Sequence, residues 1–172
     1  ERYTDLGVEC IQGEARITSP YTVEVNDRVL TTRNIIIATG ARPFVPPIPG
    51  IDEIDYLTSD DIWQISTLPK RLVILGGGPI GSELTQCFAR FGSEVTQVEM
   101  APRLLMREDP EVSKLVKQQF EKDGVKVLVG HTALAFKKDG DRKIIVCKHA
   151  DREFEFEFDT LLVAVGRKPN VA

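Results

Sequence analysis

The sequence predicts an α/β fold: a doubly wound parallel sheet that also carries an antiparallel β-meander. Three observations support this. An apolar run, Arg71-Leu-Val-Ile-Leu75, ends on Gly76-x-Gly78-x-x-Gly81, and a helix opens at Pro79. The pattern then reads strand, helix, strand, helix, strand, which gives parallel strands joined by right-handed crossovers. Further along, apolar and charged residues alternate with period two, as in strands with one wet face.

Residues 71–75 form a short continuous apolar run bounded by glycine, hence a buried strand. After Pro79, the residues Ile80, Leu84, Cys87, Phe88 and Phe91 recur at helical spacing as one apolar stripe, and Gly92 stops the helix. The segment Val95-Thr-Gln-Val-Glu99 is a second strand that ends on an acid. Asp109-Pro110 starts another helix, a capping acid followed by proline at the first helical position. Val112, Leu115, Val116 and Phe120 are its expected buried face, and Gly124 ends it. Residues 125–129 read as the third parallel strand. Strands follow at 135–138, 143–148 and 153–158, the first two joined by the hairpin signal Asp139-Gly140. In the last, Phe154, Phe156 and Phe158 alternate with Glu153, Glu155 and Glu157. Leu161-Leu-Val-Ala-Val-Gly166 is a buried strand closed by glycine.

A weak internal repeat organises the rest. Gly7-Val-Glu-Cys-Ile-Gln-Gly13 is similar to Gly124-Val-Lys-Val-Leu-Val-Gly130. Short strands follow each copy, at 22–25 and 29–32 in the first. Ile35-Ile-Ile-Ala-Thr-Gly-Ala-Arg-Pro43 parallels Leu161-Leu-Val-Ala-Val-Gly-Arg-Lys-Pro169, so residues 35–38 are expected to form a buried strand. The prolines of Phe44-Val-Pro-Pro-Ile-Pro-Gly50 make a stiff connector, and Thr58-Ser-Asp-Asp61 begins a short helix.

The glycine pattern stands in the full context of a Rossmann-like dinucleotide fingerprint. Gly76 allows the tight turn, Gly78 leaves room for a pyrophosphate, and Gly81 lets helix and strand approach. The helix N-terminus offers free N–H groups to phosphate. Glu99 can accept hydrogen bonds from a ribose 2′-hydroxyl and repels a 2′-phosphate, which favours NAD(H) over NADP(H). Arg103 and Arg107 lie close enough in sequence to offer a phosphate a partner.

A net charge of −4 and a pI near 5.3 argue against nucleic acid or anionic membranes as partners. No apolar run approaches the roughly 20 residues of a membrane span. The chain begins at Glu1 without a charged-then-apolar leader and ends in Gly166-Arg-Lys-Pro-Asn-Val-Ala172, which reads as an excised, cytoplasmic piece. Cys10, Cys87 and Cys147 show no metal spacing, and buried free thiols are expected for Cys87 and Cys147. His131 and His149 lie near strand ends without clustered ligands, so no metal site is expected.

Three ordered motifs carry a resemblance that covers essentially the whole chain: Ile37-Ala-Thr-Gly-Ala-Arg-Pro43 with Pro46-Pro-Ile-Pro-Gly50, Gly76-Gly-Gly-Pro-Ile-Gly-Ser-Glu83, and Val163-Ala-Val-Gly-Arg-Lys-Pro-Asn170. The sequence resembles the pyridine nucleotide-disulfide oxidoreductases, in the class similar to dihydrolipoamide dehydrogenase and mercuric reductase. Phe88-Ala-Arg-Phe-Gly92 and Met106-Arg-Glu-Asp-Pro110 look like the mercuric reductase branch, while Glu99 looks like the NAD-using lipoamide dehydrogenases.

The resemblance implies residues 1–62 as the C-terminal part of an FAD-binding domain with its connector. It implies 63–166 as an NAD-binding domain and 167–172 as the start of the return. It places Ala15, Thr39, Gly40 and Ala41 against FAD. Gly76, Gly78, Pro79, Ile80 and Gly81 then hold the NAD pyrophosphate, Glu99 the ribose and the Ala133 backbone the adenine. Gly166 and Glu83 fall beside the nicotinamide, with Arg167 either near the cofactor or a surface charge. The family's first FAD glycine motif, its Cys-x-x-x-x-Cys pair and its C-terminal acid/base pair are not in this sequence. No catalytic residue is therefore assigned, no turnover is expected from the chain alone, and FAD is not expected to be retained. In the intact enzyme, hydride would pass between nicotinamide and flavin. The alternative is a stand-alone NAD(H)-binding module. Residues 35–38, stripped of cover, are expected to drive chains to associate as a homodimer.

Overall fold

A small antiparallel sheet comes first in the chain. The computed structural model describes residues 2–171, and contacts separate two units, Glu1–Thr39 and Gly40–Ala172. In the first unit, one helical turn, α1 (Arg2–Asp5), precedes β1 (Ala15–Ser19), β2 (Thr22–Val25) and β3 (Arg28–Thr31), which pair as a meander in that order. Asn26, at φ 53°, and Asp27 make the two-residue turn between β2 and β3. Strand β1 was not legible in the sequence, because every residue from Ala15 to Thr18 is exposed and leaves no buried face to pattern. The strand expected at residues 35–38 does not form. Ile36 and Ile37 are 90% and 67% exposed, and no strand among the described residues pairs with the segment. Its backbone has no ladder partner, and a lone extended segment does not hold itself together.

The second unit runs β4 (Ala41–Pro43), a 3-10 turn Ile51–Glu53, β5 (Tyr56–Leu57) and a second 3-10 turn Ile62–Gln64. It continues through β6 (Arg71–Leu75), α2 (Pro79–Phe91), β7 (Glu94–Glu99), α3 (Pro110–Lys122) and β8 (Lys126–Val129). It closes with β9 (Thr132–Asp139), β10 (Arg142–His149), β11 (Arg152–Phe158), β12 (Thr160–Val163) and β13 (Arg167–Pro169). The parallel sheet has the order β5-β12-β6-β7-β8. Strands β9, β10 and β11 form an antiparallel meander, so the sequence repeat corresponds to two three-stranded meanders, one in each unit. The repeated glycine-to-proline motifs meet directly: β4 and β13 pair antiparallel, with Arg167 opposite Pro43 and Pro169 opposite Ala41.

Period two in the central strands sorts the core. Val73, Leu75, Val98, Leu161 and Val163 face the meander residues Phe136, Ile145, Cys147 and Phe158, with Ile51 and Ile54 from the 3-10 turn after the connector. Leu72, Ile74, Val95 and Leu162 face Leu84 and Phe88 of α2 and Phe120 of α3. Both faces of the sheet are thus dry, and each buried aliphatic side chain contributes about 1.5–3 kcal/mol. The connector packs against this core, within the second unit, through Val45 and Ile48.

The helix faces differ from the expected stripes. In α2, Gly81, Ser82, Leu84, Thr85 and Phe88 are buried, whereas Cys87 is exposed and Phe91 is 68% exposed. Close approach at Gly81 turns the 81–85–88 line toward the sheet and rotates 87 and 91 outward. In α3, Ser113 and Phe120 are buried, while Val112 and Leu115 are 41% and 65% exposed. Arg103 pulls Ser113 inward by donating to its Oγ at 2.7 Å, which turns the neighbouring aliphatics out. Along β11 the alternation holds but burial fades, from Phe158 inside to Phe154 at the surface. On the opposite side Glu157 pairs with Arg71 at 2.9 Å, and Asp159 pairs with the same guanidinium at 2.5 Å. Hydrogen bonding to Arg71 holds both carboxyls below the ordinary carboxylate range.

Cys147 is fully buried in the core, and burial pushes its thiol up to about 11. Cys10 and Cys87 are exposed. A thiol-reactive disulfide reagent at neutral pH should modify Cys10 and Cys87 rapidly and Cys147 only after denaturation. Rapid labelling of Cys147 in the folded chain, read by mass spectrometry, would contradict this packing.

Candidate dinucleotide site

The sheet order reverses at β6. The chain moves from β6 to β7 to β8 on one side and returns to β12 on the other, so a crevice opens at the carboxyl ends of β6 and β12. Four segments meet there: the glycine turn after β6, Glu99 at the end of β7, the turn after β8, and residues 164–166 after β12.

The glycines divide the work of the turn. Gly76 has φ 115°, and a Cβ built on it would overlap the Ala164 carbonyl. A Cβ on Gly81 would overlap the Gly76 carbonyl oxygen. These two glycines are therefore required by the fold. Gly78 is the N-cap of α2 with extended backbone, and a Cβ there would meet nothing within 4 Å. The space above Gly78 is open, and it lies where Pro79, Ile80 and Gly81 begin α2. Pro79 lacks an N–H, while those of Ile80 and Gly81 have no intrahelical acceptor. An open cradle beside unpaired donors at the positive end of a 13-residue helix fits a dinucleotide pyrophosphate.

Glu99 is half-buried and does two things at once. Its Oε2 accepts the Gly77 N–H at 2.6 Å and its Oε1 accepts the Ala101 N–H at 2.7 Å. A carboxylate has about four acceptor sites, so two remain for a ribose. Gly77, passed over in the sequence, is thus the link between the turn and the acid, and a Cβ on it would crowd Glu99 and Leu104.

The loop after β7 is bolted to the same turn. Leu105 sits at φ 49° and donates its N–H to the Gly77 carbonyl at 2.8 Å, and Leu104 is buried beside it. Arg103 holds this loop by donating to the carbonyls of Leu105, Met106 and Glu108 and to Ser113 Oγ. Its two terminal nitrogens are turned onto neutral acceptors of its own loop and of α3. Across the site, the Gly130 N–H reaches the Ala101 carbonyl and the His131 N–H the Glu99 carbonyl, which brings the start of β9, with Ala133, beside the end of β7. A bulge at Leu134 follows, where Val146 faces Ala135 and Cys147 faces Ala133.

Gly166, at φ 136°, lies two residues beyond the Ala164 carbonyl that touches the turn, and its own carbonyl accepts the Phe44 N–H. Arg167 donates to Ser59 Oγ and Asp60 Oδ1, both at 2.8 Å, and to the Ala41 carbonyl. It ties β4 to the 58–61 turn. Glu83 is exposed on α2, one turn past its start, at an apolar groove of about 480 Å³ lined by Trp63, Leu68, Cys87 and Phe91. Ala15 opens β1 and is exposed, Thr39 and Gly40 are exposed outside any strand, with Gly40 at φ 72°, and Ala41 opens β4. Among the described residues, no group of three or more His, Cys, Asp or Glu is placed to hold a metal ion, and no helix is long and apolar enough to cross a membrane.

Residues 2–172 match the pyridine nucleotide-disulphide oxidoreductase family. The chain is 40% identical over 165 residues to mercuric reductase of Bacillus cereus, covering 96% of this chain and 26% of that protein. It is 36% identical to dihydrolipoyl dehydrogenase of Thermus scotoductus, covering 94% of this chain and 36% of the relative. Among solved structures, the HOCl-induced flavoprotein disulfide reductase RclA from Escherichia coli superposes with a TM-score of 0.75 at 32% identity, over 94% of this chain and 37% of that one. The chain therefore spans between 26% and 37% of the length of these proteins.

Proposed function

This chain belongs to the pyridine nucleotide-disulphide oxidoreductase family, and from that premise we propose that its second unit binds NAD(H) at the crevice between β6 and β12. In the whole protein it would deliver hydride between nicotinamide and an FAD. The observation that carries the reading is the open space over Gly78 at the start of α2, flanked by two glycines whose missing side chains the fold itself requires. Gly78, Ile80 and Gly81 would hold the pyrophosphate, Glu99 the adenosine ribose, and the Ala133 backbone the adenine edge. Gly166 and Glu83 would approach the nicotinamide. When bound, the nicotinamide and flavin supply the redox chemistry, and the protein supplies position and field.

On this reading residues 63–166 are the NAD domain, and residues 1–62, with Ala15, Thr39, Gly40 and Ala41, belong to an FAD domain. Among the described residues there is one strand–glycine–helix turn, and so one dinucleotide cradle. Flavin is not expected to stay bound to it.

Preference for NAD(H) over NADP(H) is supported by two side chains. The Glu99 carboxylate would repel a 2′-phosphate on the ribose it holds, and Arg103, the nearest sequence candidate to bind that phosphate, already donates through NH1 and NH2 to its own loop and to Ser113. Calorimetric titration of the chain should give NADH at least about tenfold tighter than NADPH, the worth of one charged hydrogen bond. Equal or tighter binding of NADPH would overturn the preference, and no binding of either would overturn the site.

A further inference from the structure

Strand β7 carries a residue that core packing does not call for. Gln97 lies in the middle of the parallel sheet, opposite Ile74 on one side and Val127 on the other, with no exposed surface. Its neighbours Val95 and Val98 are aliphatic core. A buried amide in such a place is destabilising unless its polar atoms are paired. Only half of this one is. Nε2 donates to the Gly76 carbonyl at 3.1 Å and lies 3.4 Å from Ser82 Oγ, while no group among the described residues pairs with Oε1. Ser82 Oγ in turn lies 3.4 Å from the Gly77 carbonyl. The amide orientation follows from the Gly76 carbonyl, since Oε1 turned toward it would set one acceptor against another.

We propose that Gln97 is a positioning residue for dinucleotide binding, an amide that fixes the direction of the Gly76 carbonyl and so aims the glycine turn; this rests on the NAD(H) site described above. The geometry gives the reason. The Gly76 carbonyl oxygen occupies the place where a Cβ on Gly81 would go, so it points inward between strand and helix. With that peptide turned inward, the next N–H, of Gly77, is directed to Glu99, and the Gly77 carbonyl accepts from Leu105. Gln97 is the side chain that reaches this peptide from β7, on the face of the sheet that α2 covers. An unpaired Oε1 is tolerated because the opposite end of the same amide is used at the site, a local sacrifice of stability for position.

A second unpaired group supplies the control. Thr85 Oγ1 is also fully buried without a protein partner, on the face of α2 that packs on the sheet, but none of the hydrogen bonds of the turn runs through it. Gln97→Met keeps the length of the side chain and removes both polar atoms. Thr85→Val removes one polar atom from the same core.

The experiment is NADH titration of the full chain by fluorescence, with thermal melting of each variant. The parent binding NADH is the condition that the site reading itself must meet, and its failure sinks that reading rather than this one. Given binding, Gln97→Met should melt near the parent temperature, because it removes the unpaired Oε1 but leaves the Gly76 carbonyl without its donor, and it should bind NADH about tenfold more weakly, the scale of one lost hydrogen bond in the loop that holds the ligand. Thr85→Val should melt at or above the parent and bind as the parent does. Three results would overturn the proposal: Gln97→Met binding like the parent, Gln97→Met melting well below it or failing to fold, or Thr85→Val losing as much affinity as Gln97→Met.

Discussion

Gly78→Asp is expected to leave the fold intact, raise the melting temperature slightly and abolish NADH binding at ordinary concentrations. Gly78 is the N-cap of α2 in extended backbone, a conformation any residue adopts, and a side chain there meets no atom within 4 Å. Aspartate is a preferred N-cap, worth a few tenths of a kcal/mol over glycine, and its charge suits the helix N-terminus. The same carboxylate would occupy the pyrophosphate space. Two like charges about 4 Å apart repel by about 4 kcal/mol at the effective dielectric of a protein surface. Binding should weaken by about 10²–10³-fold. Melting curves and NADH titration on one preparation separate the two effects. Unchanged affinity would mean that the phosphates do not sit above Gly78.

Gly81→Ala should do the reverse and strike the fold first. Alanine is favoured over glycine inside a helix by about 1 kcal/mol, so propensity alone predicts stabilisation. The added Cβ overlaps a backbone oxygen, that of Gly76, which no rotamer change can move aside. Helix α2 must lift from β6, loosening Leu84 and Phe88 from the core they share with Leu72 and Ile74. Overpacking of this kind costs about 1–3 kcal/mol or more. A melting temperature lower by about 5–10 °C is expected for a chain of this size. The contrast is the informative part, because two glycines three residues apart, both in the fingerprint, should fail in opposite ways. A Gly81→Ala chain as stable as the parent would show that α2 can shift without loss, and the division of roles among the glycines would not stand.

The sequence by itself determined the parts of this protein that depend on local pattern. Continuous apolar runs bounded by glycine set β6 and β12, and Pro79 and Pro110 set the starts of α2 and α3. The acid closing Val95-Thr-Gln-Val-Glu99 was legible as the end of a strand, because period and punctuation are properties of neighbours in sequence. Which side of a helix is inside was not legible. The α2 stripe through Cys87 and Phe91 is broader than the face the sheet can cover, and contact at Gly81 decided the rotation. Nor could the sequence decide whether residues 35–38 become a strand, since a strand exists only with a partner, and none among the described residues lies beside them. The inner workings of the site were the most hidden. The bond from Gly77 to Glu99 spans 22 residues and that from Gln97 to Gly76 spans 21. Arg103 is a charged side chain whose sequence position suggests a phosphate ligand, yet the fold surrounds it with its own carbonyls. A hydrogen bond is fixed by where two atoms come to rest, and for residues far apart in the chain only the closed tertiary structure sets that.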